Sequence, residues 1–414
     1  MSGRFAITKR VVWLLAPATF LSNSNRPHEE NIPDTFQLRH VSVISRHGYR
    51  TPLRTPPGYQ DEWNCHQKHV QLTYLAHPSE DEKYIPTNQL YVQRHMSEQN
   101  STLPGTCHHG QLTPEGRKQM GNVGARFREH YIIKKNGTRL KTQFLPEFLQ
   151  PEMFYIRSTD TKRTLETAQC ILNEFYPSDK RPQGEKGILE IYTKDKQEEN
   201  MYGRGSCTAI GEMKKAVKQL KSFKEHKSNF ESLREEFRKG YQVDALNTSF
   251  VGLYNTYECM KGNKMRLPDF ITPEIEESLK EAAGRDGIFS FYTKEICSLS
   301  IGRFVKDVMD NIESFVQSPN SAARFCLYSG HDNTISPIIH GLEIADGYHP
   351  PMGSTIVFEL WEDISNHSYH VRILFNNEIK NLPNCGEFCS FEEFKRQVSS
   401  LIPKNYEKQC RTKY

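Results

Sequence analysis

Residues 37–50 read QLRHVSVISRHGYR, and this stretch determines how the rest of the chain is interpreted. Its middle is rich in β-branched residues, which favour strands. The stretch therefore predicts a buried strand over residues 37–45. That strand ends abruptly in a polar and charged cluster that contains Arg46, His47 and Arg50.

Two later stretches follow the same plan. Residues 152–157 and 324–329 read as strands, and polar residues follow each of them at once, Ser158-Thr159-Asp160 and Gly330-His331-Asp332. Strands alternate with helices along the chain, which predicts an α/β body with a mostly parallel sheet. Ligands of such sheets bind beyond the carboxyl ends of the strands. If the three strands are neighbours, their polar clusters converge.

The composition changes along the chain and predicts its organisation. Residues 205–290 read as almost wholly helical and charged, which indicates a helical cap inserted into a body made of residues 36–204 and 291–414. Near the N-terminus, two basic residues precede an apolar stretch of about eleven residues. This length fits a secretory signal and is too short for an ordinary membrane span. Residues 1–25 are therefore expected to be a signal peptide or a short signal-anchor.

Two further patterns favour export. The chain has ten cysteines, and N-x-S/T sequons occur at Asn100, Asn136, Asn247 and Asn366. Together with the N-terminal segment, they indicate an oxidising and glycosylating compartment. The expected location is therefore the secretory pathway, as a secreted, lysosomal or Golgi-lumen protein.

Cysteine spacing also suggests local bridges. Cys65 and Cys107 lie at the two ends of a long polar loop, so a disulfide between them could staple it. Cys385 and Cys389 are four residues apart, with no second pair to complete a tetrahedral zinc site. A local disulfide is the better interpretation of that spacing.

The charge pattern argues against a nucleic-acid partner. The net charge of +4 comes from 54 basic and 50 acidic residues that are spread along the chain. The densest basic run, residues 214–227, carries apolar residues at helical spacing and reads as the solvated face of an amphipathic helix. A dedicated nucleic-acid binder would instead show a concentrated basic stripe.

The polar residues at the three strand ends have complementary chemistry. They include three guanidiniums, two imidazoles and a carboxylate: Arg46, Arg50, Arg157, His47, His331 and Asp332. Three guanidiniums repel one another unless an anion lies among them, and a tetrahedral phosphate suits their forked geometry. A histidine in their field is pushed towards its neutral form and can act as a nucleophile, with Asp332 as the proton donor. The sequence contains neither a common zinc motif nor a P-loop, so we expect neither a metal nor a cofactor.

Plainer interpretations exist for each residue taken alone. A histidine after a strand is more often a structural hydrogen-bond partner, and an arginine is usually half of a surface ion pair. Position favours the chemical interpretation, because each cluster follows a predicted strand.

Four motifs then resemble the histidine acid phosphatases, the branch of the histidine phosphatase superfamily with a helical cap. They are VISRHGYRTP at 43–52, LTPEG at 112–116, RSTDTKRT at 157–164 and SGHDNT at 329–334, and the likeness extends over roughly residues 36–412. The resemblance implies a mixed sheet flanked by helices, with His47 as the nucleophile and Asp332 as the proton donor. It also implies that phosphate is bound by Arg46, Arg50, Arg157 and His331.

The same resemblance has consequences for the cysteines. It implies the pairs Cys385–Cys389 and Cys207–Cys410. The usual partner position of Cys259 falls near Ser354, so the resemblance does not supply a bridge for Cys259.

Within the family, the runs at residues 40–53 and 358–374 look like the 2-phosphoxylose phosphatases, which act on a phosphorylated xylose of the proteoglycan linker. Residues 157–160 are closer to the general acid phosphatases. A phosphomonoesterase acting on a small phosphorylated substrate is therefore the first hypothesis, and the sugar-phosphate specialist is an alternative. A non-catalytic phospho-ligand binder on the same scaffold is the other. The resemblance also suggests a homodimer, although no stretch of sequence identifies an interface.

Overall fold

The computed structural model describes residues 32–54, 57–58, 60–65, 103–133, 144–182, 188–203, 207–244 and 246–411. The predicted signal or anchor, with the sequons at Asn100 and Asn136, lies outside these ranges. None of the described helices combines the length and the apolar character that crossing a membrane requires.

The described strands form one mixed sheet. Its eight strands are β1 (Phe36–Arg46), β2 (Phe154–Ser158), β3 (Ile191–Tyr192), β4 (Phe325–Gly330), β5 (Thr355–Asp363), β6 (Ser368–Phe375), β7 (Glu378–Lys380) and β8 (Cys389–Ser390). The order across the sheet is β3-β2-β4-β1-β5-β6-β7, and β8 pairs with β6.

The parallel half of the sheet contains the three predicted strand ends. β4 lies between β1 and β2 and runs parallel to both. The register sets Arg46 opposite Gly330 and Ser158 opposite Ser329, so all three strands end at the same edge. The predicted convergence of the strand ends is therefore confirmed.

The other half of the sheet is antiparallel. β1 pairs with β5, β5 with β6, and β6 with both β7 and β8, all in antiparallel fashion. β5 and β6 are joined by a short turn, which permits only an antiparallel neighbour. The mixed sheet that the family resemblance implied is confirmed, and it is less parallel than the alternation of elements suggested.

Eleven α-helices occur in the described ranges. They are α1 (Pro114–Tyr131), α2 (Lys162–Phe175), α3 (Thr208–Val217), α4 (Lys221–Asn229), α5 (Glu231–Gly240), α6 (Phe250–Gly262), α7 (Pro273–Ser290), α8 (Lys294–Gln317), α9 (Asp332–Gly341), α10 (Phe391–Ser399) and α11 (Tyr406–Arg411). The start of α1 has the usual helix-start signals. Thr113 caps the helix by accepting from the Gly116 amide, and proline occupies its first turn.

Apolar residues cover both faces of the sheet. Val41 and Val43 of β1 pack in one cluster with residues of α1 and α2, and Ile44 packs in a second cluster with residues of α8 and α9. Because successive side chains of a strand point to opposite faces, a central strand covered on both sides is apolar at nearly every position. α1 and α2 approach closely at Gly124, where a Cβ would lie 2.0 Å from the Ile171 carbonyl oxygen. The strand ends therefore sit on a rigid, two-sided core.

Helices α3 to α7 occupy the stretch that the sequence analysis interpreted as a cap. α5, α6 and α7 bury an apolar cluster of their own, with Phe237, Leu253, Tyr257 and Leu279 among its members. α3 packs instead in a cluster with residues of α8 and α11, and the helical cap over residues 205–290 stays a prediction.

The three expected disulfides are present, and those predictions are confirmed. They join Cys65 to Cys107, Cys207 to Cys410 and Cys385 to Cys389. The four remaining cysteines, Cys170, Cys259, Cys297 and Cys326, are free.

Candidate active site

His47 occupies the first position after β1. The residue is 2% exposed, and its backbone amide donates to the Gly330 carbonyl of the neighbouring strand at 3.0 Å. Nδ1 lies 2.9 Å from the Gly48 carbonyl oxygen, which can only accept a hydrogen bond. The proton of a neutral His47 therefore sits on Nδ1, and Nε2 keeps its lone pair.

The surroundings of His47 favour its neutral form. Burial, followed by the charges of Arg46, Arg50 and Arg163, holds the pKa of His47 well below its usual value. A neutral imidazole with a fixed tautomer is a competent nucleophile at acidic pH, where an ordinary histidine would be protonated.

Arg46 and Arg50 flank His47, as predicted. Arg46 is fully buried and donates to the Pro350 carbonyl and, at 2.7 Å, to Asn255 Oδ1. Arg50 donates to the Thr51 carbonyl at 2.8 Å, and its Nη1 lies 3.4 Å from Cys259 Sγ. The Nε atoms of both arginines are buried and make no hydrogen bond within the described part of the chain. These guanidiniums keep donor capacity that a bound anion could use.

Arg157 does not join this cluster, so the prediction that placed it there needs correction. Its guanidinium donates to Asp307 Oδ2 at 2.8 Å, to Glu199 Oε1 at 2.8 Å and to Asn200 Oδ1 at 2.6 Å. Side chains alternate between the two faces of a strand. Arg157 points to the face of β2 that α8 covers, where it forms a buried ion pair with Glu199 and a partly exposed one with Asp307.

Arg163, which sequence reasoning missed, supplies the third guanidinium. It lies in the first turn of α2, and its Nη2 is 3.3 Å from His331 Nδ1. Burial, followed by the charge of Arg50, lowers the pKa of Arg163 to about 10. A usable signal existed, because a helix that directly follows a strand begins at the carboxyl edge of the sheet.

His331 faces His47 across the strand ends, with ring centroids 5.7 Å apart. Its Nε2 lies 3.0 Å from Thr159 Oγ1. Burial, together with the charge of Arg163, lowers the pKa of His331 to about 3. The structure thus brings the residues after β1, β2 and β4 into one cluster around two neutral imidazoles.

Asp332 is the acid of this cluster and begins α9. Its Oδ2 lies 3.3 Å from Arg46 Nη2, 3.2 Å from Asn255 Nδ2 and 3.4 Å from His349 Nε2. Burial alone would raise the pKa of the carboxyl, but Arg46 and His349 outweigh it and hold that pKa well below its usual value. Its place at a helix N-terminus also favours the anion. Asp332 is therefore ionised in the unliganded protein.

Because Arg163 lies in the cluster and Arg157 does not, substitutions at the two positions should have different effects. Arg163→Ala is expected to lower kcat/KM for an aryl phosphate by about 10²–10³-fold, because one guanidinium that stabilises transition-state charge is lost. Arg157→Ala should instead remove the cation that neutralises the buried Glu199 carboxylate and lower the free energy of unfolding by about 3–5 kcal/mol.

Steady-state kinetics and denaturant unfolding of both variants distinguish the two positions. Folded Arg157→Ala protein should keep turnover within a few-fold of wild type. An equal loss of kcat/KM in both folded variants would contradict the geometric assignment of Arg163.

Comparison with known proteins identifies the family of the chain. The family model of the histidine phosphatase superfamily (branch 2) matches residues 37–376. A probable acid phosphatase of Dictyostelium discoideum is 26% identical over 419 residues, covering 91% of this chain and 82% of that protein. Human lysosomal acid phosphatase is 23% identical over 390 residues, covering 90% and 80%.

A solved structure shares the fold. Hafnia alvei phytase in complex with tartrate superposes with a TM-score of 0.62 at 16% identity, covering 92% of this chain and 100% of that one. At this identity the likeness concerns the fold alone. Because one family model spans well over half of the sequence, this chain belongs to the histidine phosphatase superfamily, branch 2, and its activity is that of a phosphomonoesterase.

Proposed function

We propose that the protein is an acid phosphatase that hydrolyses phosphate monoesters through a phosphohistidine formed on His47. The observation that carries this proposal is the environment of one atom. His47 Nε2 is an unprotonated nitrogen in the field of Arg46, Arg50 and Arg163, because the Nδ1 proton is held by the Gly48 carbonyl.

The first half-reaction transfers the phosphoryl group to the enzyme. As the bond from Nε2 to phosphorus forms, the bond from phosphorus to the leaving oxygen breaks, and Asp332 gives its proton to that oxygen. The guanidiniums of Arg46, Arg50 and Arg163 bind the non-bridging oxygens, whose charge is spread over the transition state. The alcohol leaves, and Asp332 is left as a carboxylate.

The second half-reaction returns the enzyme to its starting state. A water molecule attacks phosphorus while Asp332 takes one of its protons, and the bond from Nε2 to phosphorus breaks. Inorganic phosphate then leaves. In this scheme Asp332 alternates between acid and base, and no group other than this chain's side chains and water is required.

Binding of the substrate also changes the protonation state of Asp332. The unliganded carboxyl is held ionised chiefly by Arg46. A bound phosphate monoester places negative charge beside Arg46 and weakens its pull on Asp332, which raises the pKa of the acid in the complex. Asp332 is therefore protonated in the complex with substrate, where it acts as the proton donor.

The location of the protein in the cell is also inferred from its family. We propose the lumen of the secretory pathway, with the N-terminal segment as its signal. The disulfides support this, since such bonds persist in oxidising compartments. The sequons at Asn247 and Asn366 lie at exposed positions, as glycan acceptors must. A homodimer, which the family resemblance suggested, stays a prediction.

The substrate is best identified with a panel of monoesters. We expect turnover of aryl phosphate and of small sugar phosphates at acidic pH, with a phosphate product in each case. A preference of more than about 100-fold for a phosphorylated xylose over aryl phosphate would favour the sugar-phosphate specialist. The non-catalytic alternative predicts binding of these compounds with no release of phosphate, and turnover of any of them would exclude it.

A further inference from the structure

The helical segment contributes a side chain that contacts Asp332, the acid of the site. Asn255 lies on α6, and its Oδ1 accepts from Arg46 Nη2 at 2.7 Å while its Nδ2 donates to Asp332 Oδ2 at 3.2 Å. Arg46 Nη2 is itself 3.3 Å from the same carboxylate oxygen. Three side chains from α6, β1 and α9 thus form a closed triangle of polar contacts.

The orientation of the Asn255 amide is determined by its two partners. A guanidinium only donates, so the amide oxygen must face Arg46, and the amide nitrogen is then directed to Asp332. This contact differs from the ion pair with Arg46, because it involves a neutral donor. When a phosphoryl group engages Arg46, the amide still holds the Asp332 carboxyl in place.

α6 is docked firmly enough to make this contact specific. A Cβ at Gly262 would lie 2.4 Å from the Tyr49 ring, so helix and ring are in direct contact. Asn263 Nδ2, just beyond the helix, donates to the Cys259 carbonyl at 2.7 Å and lies 3.4 Å from the Arg50 carbonyl oxygen. The helix end is therefore anchored to the same strand end that carries His47.

We propose that Asn255 is a positioning residue for Asp332, through which the helical segment controls the proton-donating step. The inference rests on the proposed function, because it gives Asn255 a role only if Asp332 is the proton donor. Asn255 acts through Asp332 and is not itself required to touch the phosphoryl group.

Several charged or titratable groups act on Asp332 or on its partner Arg46 and must be kept constant in any test. They come from β1, the turn after it, α2, α6, the residue before α9 and the loop after α9: Arg46, His47, Arg50, Arg163, Glu258, Cys259, His331 and His349. Single substitutions at position 255 keep every one of these side chains in the protein.

The test compares Asn255→Ala with Thr256→Ala, its neighbour on α6, whose hydroxyl donates to the Gly252 carbonyl within the helix. We expect Asn255→Ala to lower kcat for an alkyl phosphate by about 10–100-fold, part of the usual effect of general acid catalysis. kcat for p-nitrophenyl phosphate, whose leaving group needs no proton, should fall less than about three-fold. Thr256→Ala should match wild type on both substrates.

A near-isosteric variant covers the case in which the alanine variant is poorly folded. Asn255→Asp can still accept from Arg46 but cannot donate to Asp332 when ionised, and it adds a negative charge beside the acid. The alkaline limb of kcat against pH for the alkyl ester should therefore move to higher pH, by on the order of one unit.

The outcomes separate the two proposals. Equal losses on both esters, or an unmoved alkaline limb in Asn255→Asp, would overturn the positioning role while the phosphatase activity of wild type stands. Absence of phosphate release by wild type and by Thr256→Ala would overturn the proposed function, and the role of Asn255 with it.

Discussion

His47→Ala is expected to abolish hydrolysis of aryl phosphate, with kcat reduced by at least about 10⁴-fold. The reason is that the substitution removes the only atom that the mechanism uses to carry the phosphoryl group, and a water molecule cannot replace it in the same geometry. The variant should remain folded, because within the described ranges the His47 ring makes one hydrogen bond, to the adjacent Gly48 carbonyl. Initial rates with p-nitrophenyl phosphate and a thermal melt measure both quantities.

His367 provides the matched control for the first prediction. Its side chain is 80% exposed, and its Nδ1 lies 2.8 Å from Glu362 Oε1. In sequence it is far from His47 at the end of β1. His367→Ala should keep wild-type turnover. Turnover by folded His47→Ala within about ten-fold of wild type would show that the nucleophile is another group.

Asp332→Asn is expected to cause the second large loss of kcat, and the size of that loss should depend on the leaving group. For an alkyl phosphate we expect kcat to fall by about 10²–10⁴-fold, because an amide cannot donate a proton to a poor leaving group. For p-nitrophenyl phosphate the loss should be smaller than about ten-fold. A series of aryl and alkyl esters measured at one pH gives the dependence on leaving-group pKa directly.

Asp346→Asn makes the same chemical change at an exposed acid in the loop after α9, where Oδ1 accepts from the Tyr348 amide. It should leave the leaving-group dependence unchanged. Equal losses on aryl and alkyl esters in Asp332→Asn would remove Asp332 as the proton donor and leave it a binding role.

The pH dependence of the same reaction has a definite sign. In the unliganded protein the pKa of Asp332 is lowered, so the carboxyl is charged at pH 5. Substrate charge beside Arg46 should raise that pKa in the complex. The alkaline limb of kcat for an alkyl ester is therefore expected well above the usual pKa of an aspartate, and a limb at or below pH 4 would contradict this account.

Most of the candidate site was predictable because it is local to strand ends. His47, Arg46, Arg50, His331 and Asp332 each lie on or within a few residues of a strand terminus, and the register of β1 and β4 brings them together. A pattern of strand followed by polar cluster contains this information, since parallel strands that are neighbours end at a common edge.

Arg157 shows where that reasoning fails. A residue inside a strand points to one face or the other, and the choice depends on the pleat and on the partner it meets. For Arg157 that partner is Asp307 of α8, about 150 residues further along the chain. Arg163 was overlooked because it belongs to a helix, although the start of that helix is placed at the site by the strand before it.

Asn255 and His349 could not be found from the sequence for a different reason. Asn255 lies in a long helical segment with no local motif, and His349 lies in a loop that resembles many others. The packing of α6 against Arg46, at the end of β1, and against the Tyr49 ring brings the Asn255 amide to Asp332. Contacts between distant segments of this kind follow from tertiary packing and leave no periodic pattern in the chain.

The most direct measurement of the central claim is identification of the phosphorylated residue. Wild-type protein is mixed with labelled substrate, quenched within milliseconds in alkaline denaturant, digested and sequenced by mass spectrometry. We expect up to one phosphoryl group per chain, on Nε2 of His47, stable in alkali and lost in acid. Label on any other residue, or a burst of product with no labelled protein, would contradict it.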